Sequence, residues 1–442
     1  MSSKVSPSNP PQPPLIGNVK GSFAEDTFKR RLPSIVQRVV DEIEFAVQKV
    51  EKEEGKEDQA LEGRELMQRI KRLKEEMEAD APLPLMLDDG AQDIKEWQLI
   101  QEKEFPKGTW LTVTWLFGEC FTYRLIQAML SQSTHWNQLD PFAQQKARTL
   151  KASQDSIVAL GKRYVEDILG KKSGKSEAEV FREIALICLW GNRADLSLLV
   201  HLDLAKAGEG ATFQLKSDEH AEIPILANDL DRVWKYVCTL LSSRIDIVLD
   251  NAGFELFGDL LFADYLYSQG HAREIRLHGK AIPWYVSDVV AQDVTDLLHS
   301  LDKHEDASLR QLARRWRGFL SSGVWIYEAH PFWTSPRAFW HLPEVSDLWE
   351  GHLKSSDLIV FKGDLNHRKL VYDCYWPHTT PFTQAIGPMA STSLDGPAIL
   401  TLRTCKSDVV VGLAEGQAEE VEAKHADWMV SGEFAVVQFH TN

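Results

Sequence analysis

Cysteine is scarce and scattered in this 442-residue chain: Cys120, Cys188, Cys238, Cys374 and Cys405 form no Cys-x-x-Cys pair. That spacing excludes a disulfide framework and a thiolate zinc site. No apolar run approaches the roughly 18 residues of a membrane span, and the first residues carry no apolar core of signal-peptide length. A membrane partner is therefore not expected, and the cytosol, with the nucleus, is the expected location. Positive charge is also short, since 49 Lys and Arg face 65 Asp and Glu for a formal charge of -16. Such a surface repels nucleic acid and anionic lipid, so any anion site must be assembled locally. Missing too are a Gly-x-Ser-x-Gly elbow, a Gly-x-x-x-x-Gly-Lys-Ser/Thr loop and a His-Glu-x-x-His helix. Serine hydrolases, P-loop NTPases and zincins thus lack their first requirement.

What is present describes a globular protein with much aromatic packing: 43% of residues are hydrophobic and fourteen are tryptophan. Residues 1–16 are rich in Ser and Pro and read as a disordered tail. Residues 17–205 read as a helical N-terminal domain. Leu32, Ile35, Val36, Val39, Val40, Ile43 and Val47 make a helical stripe, with Pro33 tolerable in a first turn. The charged segment Lys49 to Glu78, with Leu61, Leu66, Ile70 and Leu73, predicts a solvated amphipathic helix. WLTVTWLFGECFTYRLIQAM, from Trp110 to Met129, is apolar almost all round and predicts a helix inside the protein. Glu119 and Tyr123, four apart, share one side of it and either satisfy each other or face a polar cavity. After the helical pattern Phe181 to Trp190, Gly191 breaks the chain, and Asn192, Arg193 and Asp195 are candidate polar lining.

From residue 206 to 442 short apolar strands alternate with helices. The fold class is therefore α/β: a three-layer α/β/α domain with a central mixed sheet, preceded by the helical domain. The best strands are Ile245 to Asp250, Glu274 to His278, Asp357 to Phe361 and Ile399 to Arg403.

Four strand ends carry the chemistry. IDIVLDNAGFELFGDLLFADYL changes from strand to helical period at Asp250 and Asn251, and an acid beside an amide carbonyl offers hard oxygen donors for Mg²⁺ or Mn²⁺. A capped turn would use the same residues. In IPWYVSDVV, Ser287 and Asp288 open the next helix, so Asp288 either points up from the sheet edge or caps that helix. In FKGDLNHRKL a strand ends at Lys362, Gly363 makes a tight turn, and Asp364, Asn366, Arg368 and Lys369 crowd together, which suits a phosphate cradle as well as a wet turn. In LTLRTCK, Arg403, Thr404 and Lys406 end another apolar strand, where the cations need an anion or a salt bridge. Jointly these ends meet the physical specification of metal-assisted phosphoryl chemistry.

The strings LDNAGFELFGDL, IPWYVSDV, FKGDLNHRKL and LRTCK, with WLFGECFTYR and LWGNRADLSLL upstream, resemble the damage-control phosphatase family, in particular its Arg-Thr-x-Lys subfamily. The similarity runs from about Gly17 onward. It implies a divalent metal (Mn²⁺, Co²⁺, Ni²⁺ or Mg²⁺) held by Asp250, Asn251 and Asp288, with Asp250 and Asp288 as the catalytic acids. It also implies substrate contacts from Asp250, Asn251, Asp364, Leu365, Asn366, His367, Arg368 and Lys406. The implied substrates are small phosphorylated sugars such as fructose 1-phosphate and fructose 6-phosphate. At His367 the chain departs from the pattern, where relatives tend to carry Tyr. Glu119 and Asn192 are candidate grips on sugar hydroxyls. Whether an aspartate acts as nucleophile or base, or the metal activates a water, stays open.

A second reading, also attributed to relatives in that family, is an S-adenosylmethionine-dependent protein carboxyl (glutamate) O-methyltransferase, in which Glu255 and Asp288 would touch the cofactor. Its glycine loop has only Gly253 where several glycines are usual. A third, a scaffold using the charged helix between Lys49 and Glu78, leaves the polar strand ends without a purpose.

Overall fold

The computed structural model describes residues 10–171, 173–191, 224–345 and 347–442. Seven strands form one mixed sheet in the order β1-β7-β6-β5-β2-β3-β4. They are β1 (Ile225–Asn228), β2 (Ser243–Val248), β3 (Ala272–His278), β4 (Trp325–Glu328), β5 (Leu358–Lys362), β6 (Ala398–Thr404) and β7 (Ala435–His440). All neighbours are parallel except β6 and β7. The four strands expected from β-branched runs are all present, and helices cover both faces of the sheet.

Side chains alternate across each strand and so sort into two cores. Ile245, Ile247, Leu358, Val360, Leu400 and Leu402 pack against α5 (Glu177–Trp190), α6 (Phe254–Ser268), α7 (Ala291–Lys303) and α8 (Ala307–Ser322). Val248, Ile359, Phe361 and Ile399 face the other way. There they join the core of α1 (Leu32–Val50), α2 (Glu57–Glu78) and α3 (Trp115–Ser131). The described residues between 17 and 191 therefore divide between two cores. Their first part backs one sheet face and Glu177–Trp190 backs the other, because α3 and α5 are apolar on every side and each must be enclosed all round.

Three expectations are corrected. Residues 10–16 are not a loose tail: Leu15 is fully buried, its N–H donates to Asp373 O at 3.0 Å, and its carbonyl accepts from Trp115 N at 2.8 Å. Prolines give this segment a disordered composition, yet they suit an extended strap whose one large apolar side chain anchors it. The charged stretch is not one wet helix from Lys49. The chain leaves α1 at Val50 and restarts at Glu57, Leu61 points outward, and Leu66, Met67, Ile70 and Leu73 pack on α1. Finally, Glu119 and Tyr123 do not bond each other, as described below. No helix among the described residues is long and apolar enough to cross a membrane.

Candidate functional site

Chain connectivity places the site. From β2 the sheet grows to β3 and β4 on one side, while β5 and β6 lie on the other. The carboxyl ends of β2 and β5 thus flank a topological switch point, where open α/β sheets leave a crevice for ligands. Asp250 follows β2, and Gly363 follows β5 as the first residue of α9 (Gly363–Leu370). Gly363 has φ +81°, and a Cβ there would fall on the Asp250 carboxylate. Glycine is required twice over, for the backbone and for the acid that lies against it.

Asp288 reaches the same place through the backbone. Asn251 and Asp288 form an isolated antiparallel bridge, with Ala252 N donating to Ser287 O at 2.7 Å and Val289 N to Asp250 O at 2.8 Å. Asp250, Asn251 and Asp288 therefore converge. Neither Ser287 nor Asp288 caps the following helix: α7 starts at Ala291, and Asp293 Oδ2 accepts from Val290 N at 2.8 Å. With the cap filled from inside the helix, Asp288 is left for the crevice.

Behind these residues lies a second layer. Asn251 Nδ2 donates to Asp250 Oδ2 at 2.6 Å and to Glu255 Oε2 at 2.9 Å, and its carbonyl accepts from Ser287 Oγ. Lys362 Nζ sits 3.0 Å from Glu255 Oε1, 2.8 Å from Asp259 Oδ1 and 2.6 Å from Cys188 O. Lys280 Nζ lies 3.1 Å from Asp288 Oδ2, but its hydrogen bond goes to Leu249 O at 3.1 Å. Asp288 Oδ2 and Asp259 Oδ2 consequently have no hydrogen-bond partner, although both acids are buried. Burial, with Glu255 and Asp288 adding to it, pushes the Asp250 carboxyl well above the usual carboxylate range. Burial likewise raises Asp288 against the pull of Lys280, and raises Asp259 to about 6.

Among the described residues, Lys280 pairs with Asp288, and Lys362 with Glu255 and Asp259, in a cluster that also holds the buried Asp250. Acids crowded together in this way favour a bound proton or cation. Among the described residues no group of three or more His, Cys, Asp and Glu is arranged to hold a metal by itself. The set that fits a hard divalent ion is two carboxylates and one amide, Asp250, Asp288 and Asn251, brought together by the Asn251–Asp288 bridge. A cleft of about 1050 Å³ opens alongside, lined at this edge by Ala252, Gly253 and Lys280 and across it by Lys146 and Asn137. It adjoins the acids rather than covering them.

The remaining candidates divide. Asp364, at the start of α9, accepts from Arg403 Nε at 2.8 Å, Ser407 Oγ at 3.0 Å and the Lys406 backbone N–H at 3.1 Å, which ties the Arg-Thr-x-Lys turn to the crevice. Asn366 Nδ2 donates to Lys362 O at 2.7 Å and Leu249 O at 3.2 Å, locking the two strand ends together. Leu365 and His367 are in the core: His367 is fully buried, lies parallel to the Phe382 ring and meets Thr401 Oγ1 at 3.4 Å. Burial, then the nearby Arg403, holds its imidazole well below its ordinary range, so it stays neutral. Its side chain therefore packs against β6 and Phe382.

Arg368 and Glu119 are also placed away from the crevice, paired with each other. Arg368 NH1 donates to Glu119 Oε2 at 2.5 Å, its Nε and NH2 each donate to Asp373 at 2.8 Å, and its guanidinium lies 3.7 Å over the Trp115 ring. Asn192 lies outside the described residues, as do Arg193 and Asp195; Gly191, just before them, packs on Glu255. Asp259 and the role of Lys362 escape sequence reasoning. Their signal was available: Glu255 and Asp259 are acids four apart on a mostly apolar helix, and Lys362 ends a wholly buried strand.

Comparison with known proteins bears on this arrangement. The damage-control phosphatase ARMT1-like domain matches residues 27–421. The damage-control phosphatase ARMT1 of Danio rerio is 36% identical, with 97% of each chain covered. The protein of the same name from Xenopus tropicalis is 34% identical over 97% of this chain and 98% of its own, and that from Homo sapiens 32% over 96% and 98%. Among solved structures, a DUF89 family protein from Pyrococcus horikoshii covers 94% of this chain and 98% of its own at 14% identity and a TM-score of 0.44.

Proposed function

This chain belongs to the ARMT1-like damage-control phosphatase family and is a phosphatase, and on that premise we propose that it hydrolyses small sugar phosphate monoesters, with fructose 1-phosphate and fructose 6-phosphate as substrates, in a cytosolic or nuclear setting. The observation that carries the reading is the meeting of Asp250, Asn251 and Asp288 at the switch point, beside a turn that carries Lys406. Asp250, Asn251 and Asp288 would hold the family's divalent cofactor, with Mn²⁺, Co²⁺, Ni²⁺ or Mg²⁺ as the candidates. When bound, such an ion supplies a Lewis-acid hold on a phosphate oxygen and offsets developing charge.

The chain's own residues do the rest. Asp364 fixes the Arg403 to Ser407 turn and so presents Lys406 toward a phosphate from the β6 side. Asn366 pins the ends of β2 and β5 at a fixed separation. Lys362 holds Glu255, and Glu255 in turn holds the Asn251 amide. Ionised Asp250 and Asp288 are the acids available to orient an attacking group or to take its proton.

Glu255 is 2% exposed and both its oxygens are engaged, so no observation favours its use as a contact for S-adenosylmethionine. The test is release of inorganic phosphate from fructose 1-phosphate and fructose 6-phosphate by the purified chain with Mn²⁺ or Co²⁺. Activity should vanish in chelator and return on adding metal. Transfer of labelled methyl groups without phosphate release would overturn the proposal.

A further inference from the structure

The segment that carries Asp288 is held in a strained conformation. Tyr285 has φ 43° and Val286 φ 71°, consecutive left-handed positions occupied by an aromatic and a β-branched residue. A β-branched residue there is a genuine outlier and is strained. Ser287 N donates to Tyr285 O at 2.9 Å, closing a γ-turn on Val286, and Asp288 N donates to Trp284 O at 3.2 Å. With positive φ at its centre this is the rare, strained form of that turn. Strain persists only where neighbours overdetermine it.

Those neighbours come from the N-terminal helical region. The Tyr285 ring stacks on Tyr123 of α3 at 4.7 Å between centroids, and its hydroxyl donates to Glu119 Oε2 at 3.2 Å. Glu119 is fixed by Arg368, Arg368 by Asp373, and Asp373 O by the N–H of Leu15 in the strap. We infer that Tyr285 is a positioning residue: the Tyr285, Glu119 and Arg368 chain clamps the strained turn so that Asp288 stands beside Asn251 in a metal-competent place. This rests on the reading of Asp288 as a metal ligand. Arg368 and Glu119 then serve the site through Tyr285. Tyr285 contributes a hydroxyl that the loop needs only because Val286 is not glycine.

Mn²⁺ titration calorimetry on the full chain tests this, with metal-free thermal midpoints and phosphate release measured alongside. Tyr285→Phe keeps the stacked ring and removes only the hydroxyl. It should raise the Mn²⁺ Kd about tenfold, as loss of an outer-shell partner typically does, with kcat recovered in excess metal. Adding Val286→Gly should bring Kd back to within about threefold of the parent, because glycine takes positive φ without strain. Glu119→Gln, which keeps an acceptor for Tyr285, should raise Kd less than Tyr285→Phe. Asp288→Ala should abolish binding.

A Tyr285→Phe protein that binds Mn²⁺ like the parent, or one that only melts lower, overturns the clamp while Asp288→Ala still reports the metal site intact. Failure of Val286→Gly to rescue Tyr285→Phe also overturns it. Parental binding by Asp288→Ala overturns the metal reading itself.

Discussion

Two buried charge clusters, one on each side of the Asp288 loop, have opposite characters. In the clamp, Glu119 and Asp373 share Arg368; at the switch point, Lys280 pairs with Asp288, and Lys362 with Glu255 and Asp259. The guanidinium gives three aligned N–H groups to its two acids. The two ammonium groups also donate to the carbonyls of Leu249 and Cys188, and Asp259 Oδ2 is left without a hydrogen-bond donor. Donor geometry separates a structural network from a working one: a planar fork satisfies its acids permanently, whereas point charges leave room for an ion.

The comparison breaks if both clusters respond alike to losing one member. Asp250→Ala should lower phosphate release at least about a thousandfold and abolish Mn²⁺ binding, because it removes an acid on which the chemistry depends. The metal-free thermal midpoint should hold or rise, since one crowded acid has gone. Arg368→Ala should act first on stability. It strands Glu119 and Asp373 as uncompensated buried charges and should cost about 3–5 kcal/mol of unfolding free energy by urea titration. A stable Arg368→Ala protein, or an Asp250→Ala protein that unfolds, would show that the clusters had been assigned the wrong way round.

Lys369 sharpens the contrast, because it lies between the clusters and belongs to neither. It is fully buried, donates to Ser335 O at 2.6 Å, and is lowered by burial to about 8. A folded pKa below the unfolded 10.5 means that its contribution to stability is complete only above 10.5 and is lost as pH falls through 8. Measured against Lys369→Met, the parent should therefore gain about 2 kcal/mol of relative stability between pH 7 and pH 9.5. A flat difference would mean that Lys369 is neutral throughout or finds a carboxylate.

How much of this was legible follows from what each feature needs. The four strand ends could be read because β-branched runs, a period change and Gly363 are local signals, and the meeting of Asp250 with Gly363 follows once strand order is known. The clamp could not be read. Glu119 and Arg368 stand 249 positions apart, and which way each points from its helix is decided by how α3 lies on α9. Tyr285 and Val286 carry no turn chemistry, so their left-handed backbone is imposed by tertiary contacts alone. The strap misled in the opposite sense: four prolines outweigh Leu15 and Ile16 in composition, yet the fully buried Leu15 decides where the segment lies.

The smallest expected effect concerns Lys406, which separates holding the substrate from doing the chemistry. Its backbone N–H donates to Asp364 Oδ1, and its aliphatic stem runs past Gly432, where an added Cβ would lie 3.0 Å from Lys406 Cε. The turn that presents it is thus fixed by main-chain contacts, independent of the ammonium group. Lys406→Ala should leave that turn in place and raise KM for fructose 1-phosphate about tenfold, the loss of one charge-assisted contact, with kcat changed little. Lys406→Arg should recover part of the loss, because charge is kept while reach and shape differ. An equal fall in kcat and kcat/KM would move Lys406 from holding the phosphate to stabilising the transition state, and would place the cationic side of the reaction on β6 rather than on the acids of β2.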